Sequence, residues 1–153
     1  MVRLMAEAEG IEIRLTSDPR WLQVLRAAVG QVGHLAGLDP AAVDHLKLAV
    51  DEACANIIVH GYGGQRGQPI VATLRLYPDR VEIRLRDFGR AVPPDSIRPK
   101  TPDASRPGGL GVYLMHRCVD EVVYREADGP GMELVIVKRL IRSEEETDGH
   151  PRP

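Results

Sequence analysis

The run HLKLAVDEACANIIVHGY, residues 45–62, decides how this chain is read. At about 100° per residue, Val43, Leu46, Val50, Ala53 and Ile57 fall on one arc of a helix, and Asp44, Lys47 and Asp51 cluster well away from it. Glu52 and Asn56 belong to neither arc. They stand one turn apart beside Leu48 and Ala49, on a flank that is otherwise apolar. Polar groups in such a place need partners. Either they satisfy one another as a buried hydrogen-bonded pair, since i,i+4 polar pairs are common, or they face a shared cavity as a base and a metal ligand. The helix alone leaves both open.

On the N-terminal side, Asp39-Pro40 supplies a cap and a first-turn proline for this helix. Before it, Ser17-Asp18-Pro19 opens another helix, in which Trp21, Leu22, Leu25, Ala28, Val29 and Val32 repeat at helical spacing to about His34. Residues 10–16 alternate as a half-buried strand, with Ile11, Ile13 and Leu15 on one side and Glu12 and Arg14 on the other. On the C-terminal side, His60-Gly61-Tyr62-Gly63-Gly64 ends the central helix with glycines suited to a left-handed turn. PIVATLRLY (69–77) and RVEIRLR (80–86), joined at Pro78-Asp79, then read as a hairpin.

The second hairpin strand runs straight into Asp87-Phe88-Gly89, which places an acid and a glycine at a strand's carboxyl end, where ligands commonly bind. Taken alone, the same residues are also an ordinary turn. Residues 90–107 are rich in proline and poor in apolar patterning, as expected of a lid or a linker. They lead into Gly108-Gly109-Leu110-Gly111 and a short apolar helix carrying Val112, Leu114, Met115, Cys118 and Val119. A glycine loop opening onto a helix N-terminus suits phosphate. It is neither a P-loop nor a dinucleotide fingerprint. Strands at 121–125 and 133–140 follow, joined by a turn at 128–131, and the charged tail after Arg142 reads as disordered.

A chain of 153 residues, 43% of them hydrophobic, makes one domain with a substantial core. The expected division is an N-terminal tail at 1–9, one domain at 10–140 and a C-terminal tail at 141–153. A net charge of −2 and a pI near 6.2 give no electrostatic case for nucleic acid or an anionic membrane. Aromatic content of 4% supplies few stacking platforms for bases. Cys54 and Cys118 lie in apolar helical stretches without metal-ligand spacing, so both read as buried free thiols of a reducing compartment. With neither a signal-like N-terminus nor a run of about 18 apolar residues, the expectation is a soluble, cytoplasmic protein.

Glu52 with Asn56, then Asp87-Phe88-Gly89, then Gly108 to Gly111, occurring in that order within one domain, resemble the N, G1 and G2 boxes of the GHKL ATPase superfamily. The resemblance covers residues 11–140. Within the superfamily, LKLAVDEACANIIVHGY and GGLGVYLMHRCVDEVVYR look most like the bacterial anti-sigma-factor serine kinases of the sporulation and general-stress switches. What this implies is an α/β, two-layer Bergerat-type sandwich with a mixed, mainly antiparallel sheet and helices on one face, binding ATP and Mg²⁺. It further implies that Asn56 coordinates Mg²⁺, Glu52 acts as general base, Asp87 accepts a hydrogen bond from the adenine amino group and Gly89 lets the base approach the backbone. Gly109 and Gly111 would cradle phosphate together with Gly108 and Leu110, and Arg106 in the lid would contact it. The implied partners are an anti-sigma-factor antagonist protein, phosphorylated on serine, and a sigma factor, with the chain a homodimer. The alternative function is an ATP-binding partner switch without phosphate transfer. Two residues depart from the family pattern. Ala91 stands where a second G1 glycine often sits, and Met132 stands where threonine is frequent, removing a possible hydroxyl near the phosphates.

Overall fold

A computed structural model describes residues 9–91 and 110–141. The chain runs as β1 (Glu9–Thr16), α1 (Pro19–Leu35), α2 (Pro40–Asn56), β2 (Pro69–Leu76), β3 (Arg80–Asp87), α3 (Leu110–Cys118), β4 (Glu121–Glu126) and β5 (Met132–Arg139). The five strands form one sheet in the order β1-β2-β3-β5-β4. The sheet expected to be mainly antiparallel is antiparallel at every neighbouring pair among the described residues.

The caps form as the sequence predicts. The Asp18 carboxylate accepts the Arg20 N–H at 3.0 Å, and the Asp39 carboxylate accepts the Ala42 N–H at 2.7 Å. Each thereby satisfies an otherwise orphan donor at the start of a helix that begins with proline. Pairing register then sorts the faces. Ile13↔Ala72, Ala72↔Leu85 and Leu85↔Leu134 put alternate apolar residues of four strands on one side. They meet Leu25 and Val29 of α1, Leu46 and Val50 of α2 and Met115 of α3 in a single core. The central helix buries the predicted arc: Val43, Leu46, Val50 and Ala53 are at most 2% exposed. Trp21, assigned to the buried stripe of α1 on spacing, is instead 50% exposed. It falls in the first turn, and Leu25 and Val29 one and two turns on take the buried positions.

The opposite sheet face carries Glu12, Arg14, Glu82, Arg84 and Glu133. Here Arg84 Nε donates to Glu82 at 2.6 Å, and Glu82 is nonetheless buried. Cys54 and Cys118 are free and buried; desolvation pushes the Cys54 thiol up to about 12, so it is an inert core group at neutral pH. Among the described residues, no helix is long and apolar enough to cross a membrane.

Candidate nucleotide site

The α-helical part of the central helix ends at Asn56, and Ile57–Gly61 widen into a π-turn. The Tyr62 N–H reaches back to the Ile57 carbonyl at 3.0 Å and the Gly64 N–H to that of Ile58 at 2.8 Å. Gly63 and Gly64 then take φ of 58° and 81°, the left-handed turn that the sequence predicts. The π-turn has a local consequence of the kind such segments have at functional sites. It pushes Gly61 against the carboxyl end of β3, where an added Cβ would lie 3.4 Å from Asp87 Oδ1.

Asp87 is 5% exposed and closes its own turn by accepting the Gly89 N–H at 3.0 Å. Burial raises its carboxyl above the ordinary aspartate range, against the lowering influence of the Gly89 N–H, the Arg86 guanidinium and the Met132 N–H. Backbone walls it in. A Cβ at Gly89 would strike the Gly61 carbonyl, and a Cβ at Gly131 would strike the Asp87 carbonyl. The Gly61 carbonyl in turn accepts the Arg90 N–H at 2.7 Å. Met132, read from sequence as a missing hydroxyl near phosphate, lies beside Asp87, because β5 begins where β3 ends.

The sign of the Asp87 effect is testable. Its folded-state value lies above the unfolded one, so the fold favours the protonated acid. Its contribution is fully present below the ordinary aspartate value and is lost as pH rises through the folded value. Asp51, also raised by burial, acts in the same direction, so wild type alone does not isolate Asp87. In ligand-free protein, the Tm difference between Asp87→Asn and wild type is expected to move in favour of the variant as pH rises through that window, then level off. A difference flat across the window would refute the assignment.

Tyr62 fastens this end of the site. Its hydroxyl accepts the Phe88 N–H at 2.8 Å and donates to the Pro69 carbonyl, tying the Asp87 turn to the start of β2. Tyr62→Phe keeps the buried ring and removes both bonds. A loss of about 1–3 kcal/mol is expected from the two orphaned backbone groups, with faster amide exchange at Phe88 marking where it acts.

The second cluster lies one to two turns back along α2. Glu52 and Asn56 are half-buried, and among the described residues neither side chain has a hydrogen-bond or ion-pair partner. They are therefore not the mutually satisfied pair that the helix alone allowed. The Cα of Gly111, in the first turn of α3, packs on the Glu52 carboxylate, and a Cβ there would lie 3.1 Å from Glu52 Cδ. The start of α3 is thus brought to the odd flank of α2. Leu110 opens α3. Arg106, Gly108, Gly109 and most of the lid lie outside the described residues, as do both tails apart from Glu9 and Ile141.

Gly111 thus meets Glu52 on the flank of α2, with Asn56 one turn on, and Asp87 and Gly89 meet Gly61 where the π-turn ends. Sequence reasoning missed Gly61, Tyr62 and Gly131 as parts of the site. Each looked like turn punctuation, and only the neighbour packed opposite gives it a role. His116, for which sequence suggested no chemical role, is half-buried, and its Nε2 has no hydrogen-bond partner among the described residues.

The family model described as a histidine kinase-like ATPase domain matches residues 15–138. The serine-protein kinases RsbW of Bacillus cereus strains AH187 and Q1 are each 29% identical to this chain over 156 residues, covering 97% of it and 96% of their own length. The RsbW of Bacillus thuringiensis subsp. konkukian strain 97-27 is 28% identical with the same coverage. A half-buried acid and amide on the second helix, a buried aspartate in a backbone cradle and a helix start packed on the acid accord with that match: the chain belongs to the histidine kinase-like ATPase family, of the GHKL type.

Proposed function

We propose that this protein is an ATP-dependent serine protein kinase that phosphorylates an anti-sigma-factor antagonist and, in its other state, binds and inhibits a sigma factor in the cytoplasm. The observation carrying the reading is the pair Glu52 and Asn56, half-buried, unpartnered among the described residues and faced by the start of α3. Neither side chain has a polar atom among the buried unpartnered ones of the described residues, so both remain open to solvent on an otherwise apolar flank. Groups placed this way are accessible to a ligand and free to bind it. The named activity of the RsbW relatives supports a serine as acceptor.

The residues fit ATP and Mg²⁺ by their chemistry. The Asp87 carboxylate, held against desolvation by two backbone N–H groups, keeps acceptor capacity for an exocyclic amine. Gly89 and Gly131 let the Asp87 turn pack directly on the backbone of Gly61 and on the start of β5. The Asn56 amide oxygen is a ligand suited to a hard cation, and Gly111 heads a helix whose N–H groups suit phosphate. When bound, ATP supplies the transferable phosphoryl group, and Mg²⁺ offsets its charge. Glu52 accepts the proton of the attacking serine hydroxyl, and Asp87 selects adenine. Arg106, Gly108, Gly109 and Leu110 complete the phosphate end.

The test is transfer of labelled phosphate from ATP to the serine of a co-encoded antagonist-type domain. Transfer supports the kinase reading. ATP binding and nucleotide-dependent release of the partner, without phosphoserine, would instead establish the non-catalytic switch. A homodimer is part of the proposal, with no direct contact to nucleic acid or membrane.

A further inference from the structure

The sheet face turned away from the helices is rich in arginine. Residues directly across neighbouring strands share a face, so Arg75↔Glu82, Arg86↔Glu133 and Arg125↔Glu133 belong to one surface with Arg84. Followed through all five strands, that surface holds seven arginines, four glutamates and no lysine, an excess of three positive charges in a chain of net charge −2. Its glutamates are already engaged. Glu12 pairs with Arg14 at 2.9 Å, Glu82 with Arg84 at 2.6 Å, Glu133 with Arg84 at 3.7 Å and Glu121 with Arg139 at 3.4 Å. Arg75, Arg86 and Arg125 have no carboxylate partner among the described residues. Arg86 lies over the Phe88 ring at 4.3 Å and donates from Nη2 to the Asp128 carbonyl at 3.4 Å. Its Nη1 is buried and, among the described residues, without an acceptor. A buried donor left so is costly, and a carboxylate satisfies it best.

The chain carries a complement to this face. β5 ends at Arg139 on the rim of the same surface, Ile141 is 93% exposed, and the sequence continues Ser143-Glu144-Glu145-Glu146-Thr147-Asp148. Four of the five residues 144–148 are acids, enough to offset the excess. The reach also fits. With about 3.3 Å per extended residue and about 4.8 Å between strands, Arg75 lies about 12 Å from Arg139 and Arg86 and Arg125 about 21 Å, whereas residues 144–148 reach about 16–30 Å.

We propose that the acidic run at residues 144–148 folds back over the outer face of the sheet and pairs with Arg75, Arg86 and Arg125. The occupant of this face is the chain's own segment, and the pairing is independent of phosphate transfer. Exposed ion pairs are individually weak and screened by salt, so the contact loosens as ionic strength rises.

The experiment places a nitroxide on Thr147→Cys in the chain of 153 residues and reads the loss of amide signals by NMR. Cys54 and Cys118 are buried, so the label goes to position 147 alone. At low salt the amides of Arg75, Arg84 and Val135 are expected to lose intensity, while those of α1, behind the sheet, keep theirs. The loss is expected to disappear in high salt, in E144Q/E145Q/E146Q/D148N carrying the same label, and in R75Q/R125Q, with circular dichroism verifying that each variant is folded. Signals on the outer face that stay intact at low salt would overturn the proposal, as would a loss that survives neutralisation of the acids. A mixture of nitroxide-bearing chains with unlabelled, isotope-enriched chains separates the source. Broadening of the enriched chains would show the run seated on a second copy and overturn the intramolecular pairing; intact signals in the mixture support it.

Discussion

Glu52→Gln is expected to retain ATP affinity and to lose phosphate transfer by a factor of about 10²–10⁴, the usual worth of a positioned general base. Glutamine keeps the size of the side chain and its packing against the Cα of Gly111, so the start of α3 stays in place. What it cannot do is take a proton from a serine hydroxyl. Asn56→Ala, one turn away on the same flank, removes the proposed oxygen ligand and no base. It is expected to lose Mg·ATP binding itself. Calorimetric titration with Mg·ATP separates the two, and the labelled-phosphate assay measures transfer. Equal loss of binding in both variants would show that the roles are misassigned. Transfer by Glu52→Gln at the wild-type rate would sink the general-base assignment.

Among the described glycines, Gly131→Ala should be the most disruptive substitution. Gly131 has φ of 86°, a conformation that costs a residue with a Cβ about 1–2 kcal/mol. Its added Cβ would also meet the Asp87 carbonyl oxygen and carbon and Phe88 Cα, all of them backbone. No side chain can rotate away from that collision. Overpacking of this kind costs roughly a further 1–3 kcal/mol, so a total loss of about 2–5 kcal/mol is expected. The effect on the nucleotide should be as large as that on stability. Relieving the strain moves the Asp87 turn, Gly89 included, relative to β5 and Gly61. Denaturant unfolding of ligand-free protein and adenine-nucleotide titration report the two losses. Gly129→Ala serves as the control, because Gly129 also has a left-handed φ, 97°, but nothing within 4 Å of an added Cβ. It should cost stability without weakening nucleotide binding. A Gly131→Ala protein that binds ATP like wild type would remove Gly131 from the site.

Local periodicity made some pieces of this site legible one at a time, and only the family resemblance joined them. Glu52 and Asn56 stood out because a helix has a fixed period, so a polar residue on an apolar flank is visible without knowing what lies opposite. Asp87 and Gly89 stood out because they follow an alternating strand directly. Gly61 and Gly131 carried no such mark. Each sits in a run of turn residues, and each matters only because it packs on the Asp87 turn from a distant part of the sequence. Tyr62 is similar. Its hydroxyl partners, Pro69 and Phe88, are separated from it by 7 and 26 residues, and no periodicity links them.

By itself, the sequence determined the elements that depend on neighbours along the chain: the alternation of β1, the proline-led caps of α1 and α2, the hairpin at Pro78-Asp79 and the buried arc of the central helix. Short-range geometry enforces these, and a few residues suffice to state it. The tertiary structure decided the rest. It seated β5 between β3 and β4, left Trp21 in solvent and widened the end of α2 into a π-turn. It also removed one of the two alternatives that residues 45–62 left open, the mutually bonded pair. A hydrogen bond between Glu52 and Asn56 was compatible with helical spacing, but the fold leaves both side chains unpartnered among the described residues and packs Gly111 on Glu52. The physical reason is that a fold's sites form where segments distant in sequence exclude water together, and what a side chain meets there is written in no single segment.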